Sequence, residues 1–155
     1  RFAPYHARPH FMAEYFLPCR DPLPTLTCDA VLRILYKDAL SPLHEDAAWS
    51  MALSKSHPER DILGVGAFAD GRLVGLARCS ADCSTMWQIG IDVLPAYRRR
   101  GIAAALVAAM GNEILSRGKV PFYCAAWSNI PSVKTAIRAG FTPAWVHLTC
   151  IRSES

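Results

Sequence analysis

Met86-Trp87-Gln88-Ile89-Gly90-Ile91-Asp92-Val93-Leu94-Pro95-Ala96-Tyr97-Arg98-Arg99-Arg100-Gly101-Ile102-Ala103 is the stretch that decides the reading of this chain. The apolar run Met86–Leu94, stopped by Pro95, predicts a strand, and the alanine-rich segment from Ile102 to Ser116 predicts a helix. A strand feeding a glycine turn and a helix makes a cradle for an anion. The first helical N–H groups have no intrahelical partner, and the helix dipole places roughly half a positive charge there. Gly101 lets backbone approach closely, Ala103 keeps the surface low, and Arg98, Arg99 and Arg100 supply charge.

The chain has 155 residues, 52% hydrophobic and 19% charged, which predicts one globular domain over 1–155 with a substantial core. Arg1 stands at its start, so a fragment of a longer protein remains open. The net charge of +4 is concentrated in the arginine cluster and favours a local anionic ligand over a nucleic-acid surface. No apolar run approaches the roughly eighteen residues that span a bilayer, and no signal-peptide pattern appears, so a soluble cytoplasmic protein without membrane contact is expected. The six cysteines are irregularly spaced among apolar neighbours and read as reduced thiols, with no spacing that makes a metal site.

Outward from the central stretch, Ile62–Ala69 and Leu73–Cys79 predict two strands joined at Asp70-Gly71, a two-residue hairpin signal. Val120–Trp127 predicts a strand, Pro131–Ala139 a short helix and Thr142–Ile151 a last strand. Towards the N-terminus, Leu26–Tyr36 and Ser41–Leu53 predict two helices. Residues 1–24 carry five prolines and predict an irregular arm with one short strand.

A second motif joins the first: Trp127-Ser128-Asn129, then Ser132, then Ala139-Gly140-Phe141. The R-x-x-G-x-A turn, the element order and this asparagine-to-Gly-Phe spacing together resemble the GNAT acetyltransferase superfamily. The resemblance implies a mixed α/β (α+β) fold, a mostly antiparallel sheet flanked by helices, in which the family's fourth and fifth strands splay apart. It also implies acetyl-CoA as cosubstrate and direct acetyl transfer to an amine, on a small molecule or a peptide. By the same resemblance Ile91 and Val93 offer backbone to pantetheine, and Arg98, Arg99, Arg100, Gly101, Ile102 and Ala103 hold the phosphates. Asn129 and Ser132 complete the cofactor side, Ser132 also being suited to cap its helix.

Many members of the superfamily carry a tyrosine four residues before Gly-Phe as the acid for the departing thiolate. Ala136 stands there in this chain. Tyr123, Cys124 and Ser132 are the candidate substitutes, Ser132 with helix capping as its other reading. Asp92, a carboxylate inside an apolar strand, is the candidate base, with a structural hydrogen bond as its other reading. Deprotonating a lysine-like amine at neutral pH costs roughly 4 to 5 kcal/mol, whereas a thiol is already a fair leaving group, so a lost acid is tolerable. A non-catalytic acyl-CoA sensor is the alternative, and a homodimer is left open.

Overall fold

The computed structural model describes residues 6–152. Seven strands form one sheet: β1 (Ala7–Pro18), β2 (Val31–Tyr36), β3 (Asp61–Ala69), β4 (Arg72–Ser80), β5 (Met86–Val93), β6 (Val120–Ala126) and β7 (Phe141–Arg152). Their spatial order is β2-β3-β4-β5-β6-β1-β7. Every pairing is antiparallel except β5 with β6. The helices are α1 (Lys37–Leu40), α2 (Ile102–Leu115) and α3 (Ile130–Arg138). The β3–β4 hairpin turns at Asp70 and Gly71, both with positive φ, as the two-residue signal requires.

The two faces of the sheet are covered differently. Gly75, paired with Val93, faces Ile102 and Leu106 of α2. Tyr123 of β6 reaches Ser132 of α3. One face therefore belongs to α2 and α3, and its core includes Leu106, Met110, Ile89, Tyr123 and Phe16. Gly90 has the opposite parity to Val93 along β5, and a Cβ there would lie 2.5 Å from the carbonyl oxygen of Ala52. The second face is thus covered over its β3–β5 half by residues 37–53, around Leu40, Trp49, Ala52, Leu53 and Leu76.

Three expectations for the N-terminal third are corrected. Leu26–Tyr36 is not a helix: Val31–Tyr36 is a strand, paired residue by residue with Leu63–Phe68. Its apolar spacing suits either period, and the open edge of β3 decides for the strand. Ser41–Leu53 is not one helix either but separate single turns, Ser41–Glu45 and Ala47–Trp49. The Asp46 carboxylate accepts from the Ala48 N–H at 2.9 Å and restarts the chain there. The arm carries no short strand but a twelve-residue one, β1, inserted between β6 and β7. Pro9 sits at a register shift and Pro18 at the strand end, where a missing donor costs no ladder bond. Residues 1–5 of the arm lie outside the described residues.

Candidate active site

β5 and β6 pair from Met86↔Val120 to Ile89↔Tyr123, yet both strands run on, to Val93 and Ala126. Between them a gap opens. Leu94 donates to the carbonyl of Val74 at 2.9 Å, so residues of even number on β5 exchange bonds with β4 and odd ones point the other way. The Val120 N–H donating to Thr85 at 2.9 Å confirms that odd positions address β6. Ile91 and Val93 therefore turn their backbone groups into the gap. The Val93 carbonyl is already engaged, accepting from Arg98 Nε at 3.0 Å. What remains towards the gap is the N–H and C=O of Ile91 and the N–H of Val93.

At the end of the gap lies the start of α2. Gly101 is its N-cap, with φ of 80°, and no side chain caps this end. The first helical bond runs from Ala105 N to Gly101 O at 3.1 Å, so the N–H groups of Ile102, Ala103 and Ala104 precede it without an intrahelical acceptor. The nearest atom to a Cβ built on Gly101 is Nη2 of Arg138, at 3.7 Å. Arg138 comes from the last turn of α3, and sequence reading missed it. Its only signal was a cation two residues before Gly140. The three arginines of the turn differ in their settings: Arg98 is turned back onto β5, Arg99 takes φ of 62°, and Arg100 lies over the Tyr97 ring at 5.2 Å. A groove of about 630 Å³, lined by residues including Cys28, Asp29, Phe68, Tyr97 and Arg100, opens beside this turn.

The sequence model of the GNAT acetyltransferase family matches residues 38–145. The chain belongs to the GNAT acetyltransferase family. Among solved structures it resembles a GNAT-family acetyltransferase from Novosphingobium aromaticivorans, at 20% identity and a TM-score of 0.70, over 94% of this chain and 66% of that one. A GCN5-related N-acetyltransferase-like protein from Streptococcus suis matches at 16% identity and 0.66, over 94% and 62%. An aminoglycoside N-acetyltransferase in complex with CoA matches at 24% and 0.56, over 77% and 92%. These likenesses carry the fold. The chain spans less than two thirds of the first two proteins' lengths. No curated protein sequence matches it.

Within this GNAT fold the candidate catalytic residues do not converge. Asp92 Oδ2 accepts from the backbone N–H of Met51 at 2.8 Å and of Ala52 at 2.7 Å, anchoring that loop across Gly90. Burial pushes its carboxyl above the usual range, and those two donors oppose the shift. Cys124, on the same face, meets Gln88 Nε2 at 3.0 Å, and burial raises its thiol pKa. Tyr123 is on the helical side, its hydroxyl 2.7 Å from Ser132 Oγ. Burial raises its phenol pKa too. Asn129 Oδ1 accepts from the Ser132 N–H at 3.2 Å, capping α3. Ala136 is fully buried one turn beyond Ser132. All six cysteines are free, and no cluster of metal-ligating side chains occurs among the described residues.

Proposed function

We propose that the chain carries acetyl-CoA-dependent N-acetyltransferase activity. One observation carries the reading: the unpaired edge of β5 leads directly to an uncapped α2 N-terminus with Arg138 beside it. That series suits a ligand with a diphosphate at one end and an amide-bearing arm at the other. The N–H groups of Ile102, Ala103 and Ala104 take the diphosphate, with Arg138 as the nearest counter-charge. Ile91 and Val93 pair with the arm as a missing strand would. Arg98 has a different part from the one its motif position implies: it ties the turn to Val93 and holds the cradle in line with the strand.

In the transfer the amine nitrogen forms a bond to the acetyl carbonyl carbon, the carbon–sulfur bond breaks, the nitrogen loses a proton and the sulfur gains one. Tyr123 is better placed than Cys124 as the substitute acid. Its hydroxyl reaches the α3 face that carries Ala136, about one helical turn, roughly 5.4 Å, from it. Because burial raises its pKa, the phenol stays protonated around neutrality and can donate, with the half-buried Ser132 hydroxyl as its relay. Asp92 is spent on the Met51–Ala52 loop, so its part is to hold one wall of the acceptor entrance, and water takes the amine proton.

Calorimetry with acetyl-CoA, followed by thiol release with an amine panel, tests the assignment. Gly101→Glu places a carboxylate where the diphosphate docks and within reach of Arg138, and it should abolish binding in a folded protein. Unchanged affinity in that variant refutes the cradle. Binding without turnover on any amine supports a sensor instead.

A further inference from the structure

The gap between β5 and β6 is closed on one side by α2 and α3, so an acceptor reaches it from the other. On that side residues 37–53 cover only the β3–β5 half, and among the described residues no element packs on the β6–β1–β7 half. Register decides what is laid out there. Tyr15 pairs with Cys124 on one flank and with Trp145 on the other, and cross-strand partners share a face. Cys124 stands beside the point where the gap opens, so Tyr15 lies about one strand spacing, roughly 5 Å, from it, and Trp145 about two. The rings form a ladder: Tyr15 stacks on Trp145 with centroids 4.9 Å apart at 14°, and on Phe122 at 6.1 Å and 24°.

This shelf is exposed where a core would not be. Trp145 is 43% and Phe11 47% accessible, and Met51, in the loop at its other border, is 74% accessible. The shelf also lacks an anion. Among the described residues of β1, β6 and β7 the single carboxylate is Glu14, whose parity with the buried Phe16 turns it to the helical face. Asp92 is committed to two backbone donors. An acceptor with several positive charges finds no counter-charge on these strands, whereas a flat apolar group finds ring faces next to the reacting end.

We propose that the acceptor is a primary amine on an aromatic scaffold, its ring lying against the Tyr15–Trp145–Phe122 ladder with the amine directed into the gap. The proposal rests on the acetyltransferase reading and deepens it. Burying an aromatic ring against such a ladder gains the stacking preference of aromatic pairs on top of area burial. Specificity follows from register alone, since the three rings are far apart in sequence.

The test compares tryptamine and phenethylamine with n-butylamine and an aminoglycoside as acceptors at saturating acetyl-CoA. The aromatic amines should exceed both others in kcat/KM by about tenfold or more. Trp145→Ala should erase most of that preference through KM while leaving acetyl-CoA affinity unchanged. Trp145→Leu, which keeps apolar bulk, should lose the preference for rings but less of the affinity. Calorimetric binding of phenethylamine to the CoA-loaded protein should weaken in both variants, giving a binding readout independent of turnover. Turnover with no aromatic preference, or with the aminoglycoside preferred, overturns the shelf while leaving the acetyltransferase reading intact. Absence of acetyl-CoA binding overturns both. A Trp145→Ala protein that changes from dimer to monomer in sedimentation, with acceptor preference untouched, assigns the shelf to a second copy of the chain and overturns the proposal.

Discussion

Gly90→Ala tests the acceptor entrance with a single methyl group. The new Cβ would lie 2.5 Å from the Ala52 oxygen, 3.1 Å from the Met51 oxygen and 3.2 Å from the Ala52 carbonyl carbon. All three are backbone atoms, so no rotamer change relieves the contact and the loop must lift. Lifting it breaks the bonds from Met51 and Ala52 to Asp92 and loosens Ala52, Leu53 and Trp49, which are buried below it. At about 1 to 2 kcal/mol for each carboxylate hydrogen bond, with some loss of packing, the variant should be less stable by about 2 to 4 kcal/mol. The intrinsic preference runs the other way, since alanine is favoured over glycine within a strand by about 0.5 to 1 kcal/mol. The sign is therefore diagnostic. Urea unfolding of Gly90→Ala, Asp92→Asn and the double variant measures it, and the double should cost clearly less than the sum because both changes act through one loop. Amide exchange at Met51 and Ala52 should speed up in each. A Gly90→Ala protein as stable as the parent, or effects that add, would refute the argument that this glycine exists to admit the loop.

Arg138→Ala should weaken acetyl-CoA binding by about tenfold at low salt and less at high salt, with little loss of stability, whereas Arg98→Ala should chiefly loosen the turn; calorimetry at two ionic strengths separates them. Tyr123→Phe should lower kcat by about tenfold or more with acetyl-CoA affinity unchanged, and Ser132→Ala should do so in part; an undiminished kcat makes the Tyr123–Ser132 bond a structural tether. Burial holds the Asp92 carboxyl above its unfolded value, so the folded state keeps this proton longer. Its contribution to stability is full below about pH 3.9 and is lost as pH rises through the folded pKa. Unfolding measured from about pH 4 upwards should show the parent losing ground relative to Asp92→Asn; a constant difference would show that the carboxyl is not so perturbed.

The C-terminal two thirds were legible because their signals are local. Asp70-Gly71 fixes a hairpin by its own backbone, and Gly101 starts a helix. The N-terminal third was not, because its structure is set by distant partners. Val31–Tyr36 becomes a strand to cover β3, and β1 owes its length to β6 and β7, more than a hundred residues away. Separation in sequence, though shorter, also hid Arg138, which nears Gly101 only after α3 has packed against α2.

The catalytic candidates failed to converge for a reason that strand geometry supplies without any coordinates. Adjacent residues on a strand point to opposite faces, so Tyr123 and Cys124 could never serve one sulfur atom as interchangeable acids. Once Tyr123 meets Ser132 under α3, Cys124 is committed to the acceptor side, and with it Gln88, Tyr15 and Trp145. The parity that takes Cys124 away from the leaving thiolate is also what lines the acceptor entrance with rings. A one-residue slip of β1 against β6 would exchange Tyr15 for Glu14 or Phe16 on that face and remove the ladder. Acceptor preference and β1 register should therefore fail together, and an insertion in β1 between Ala13 and Tyr15 that preserves folding should abolish selection for aromatic amines while acetyl-CoA still binds.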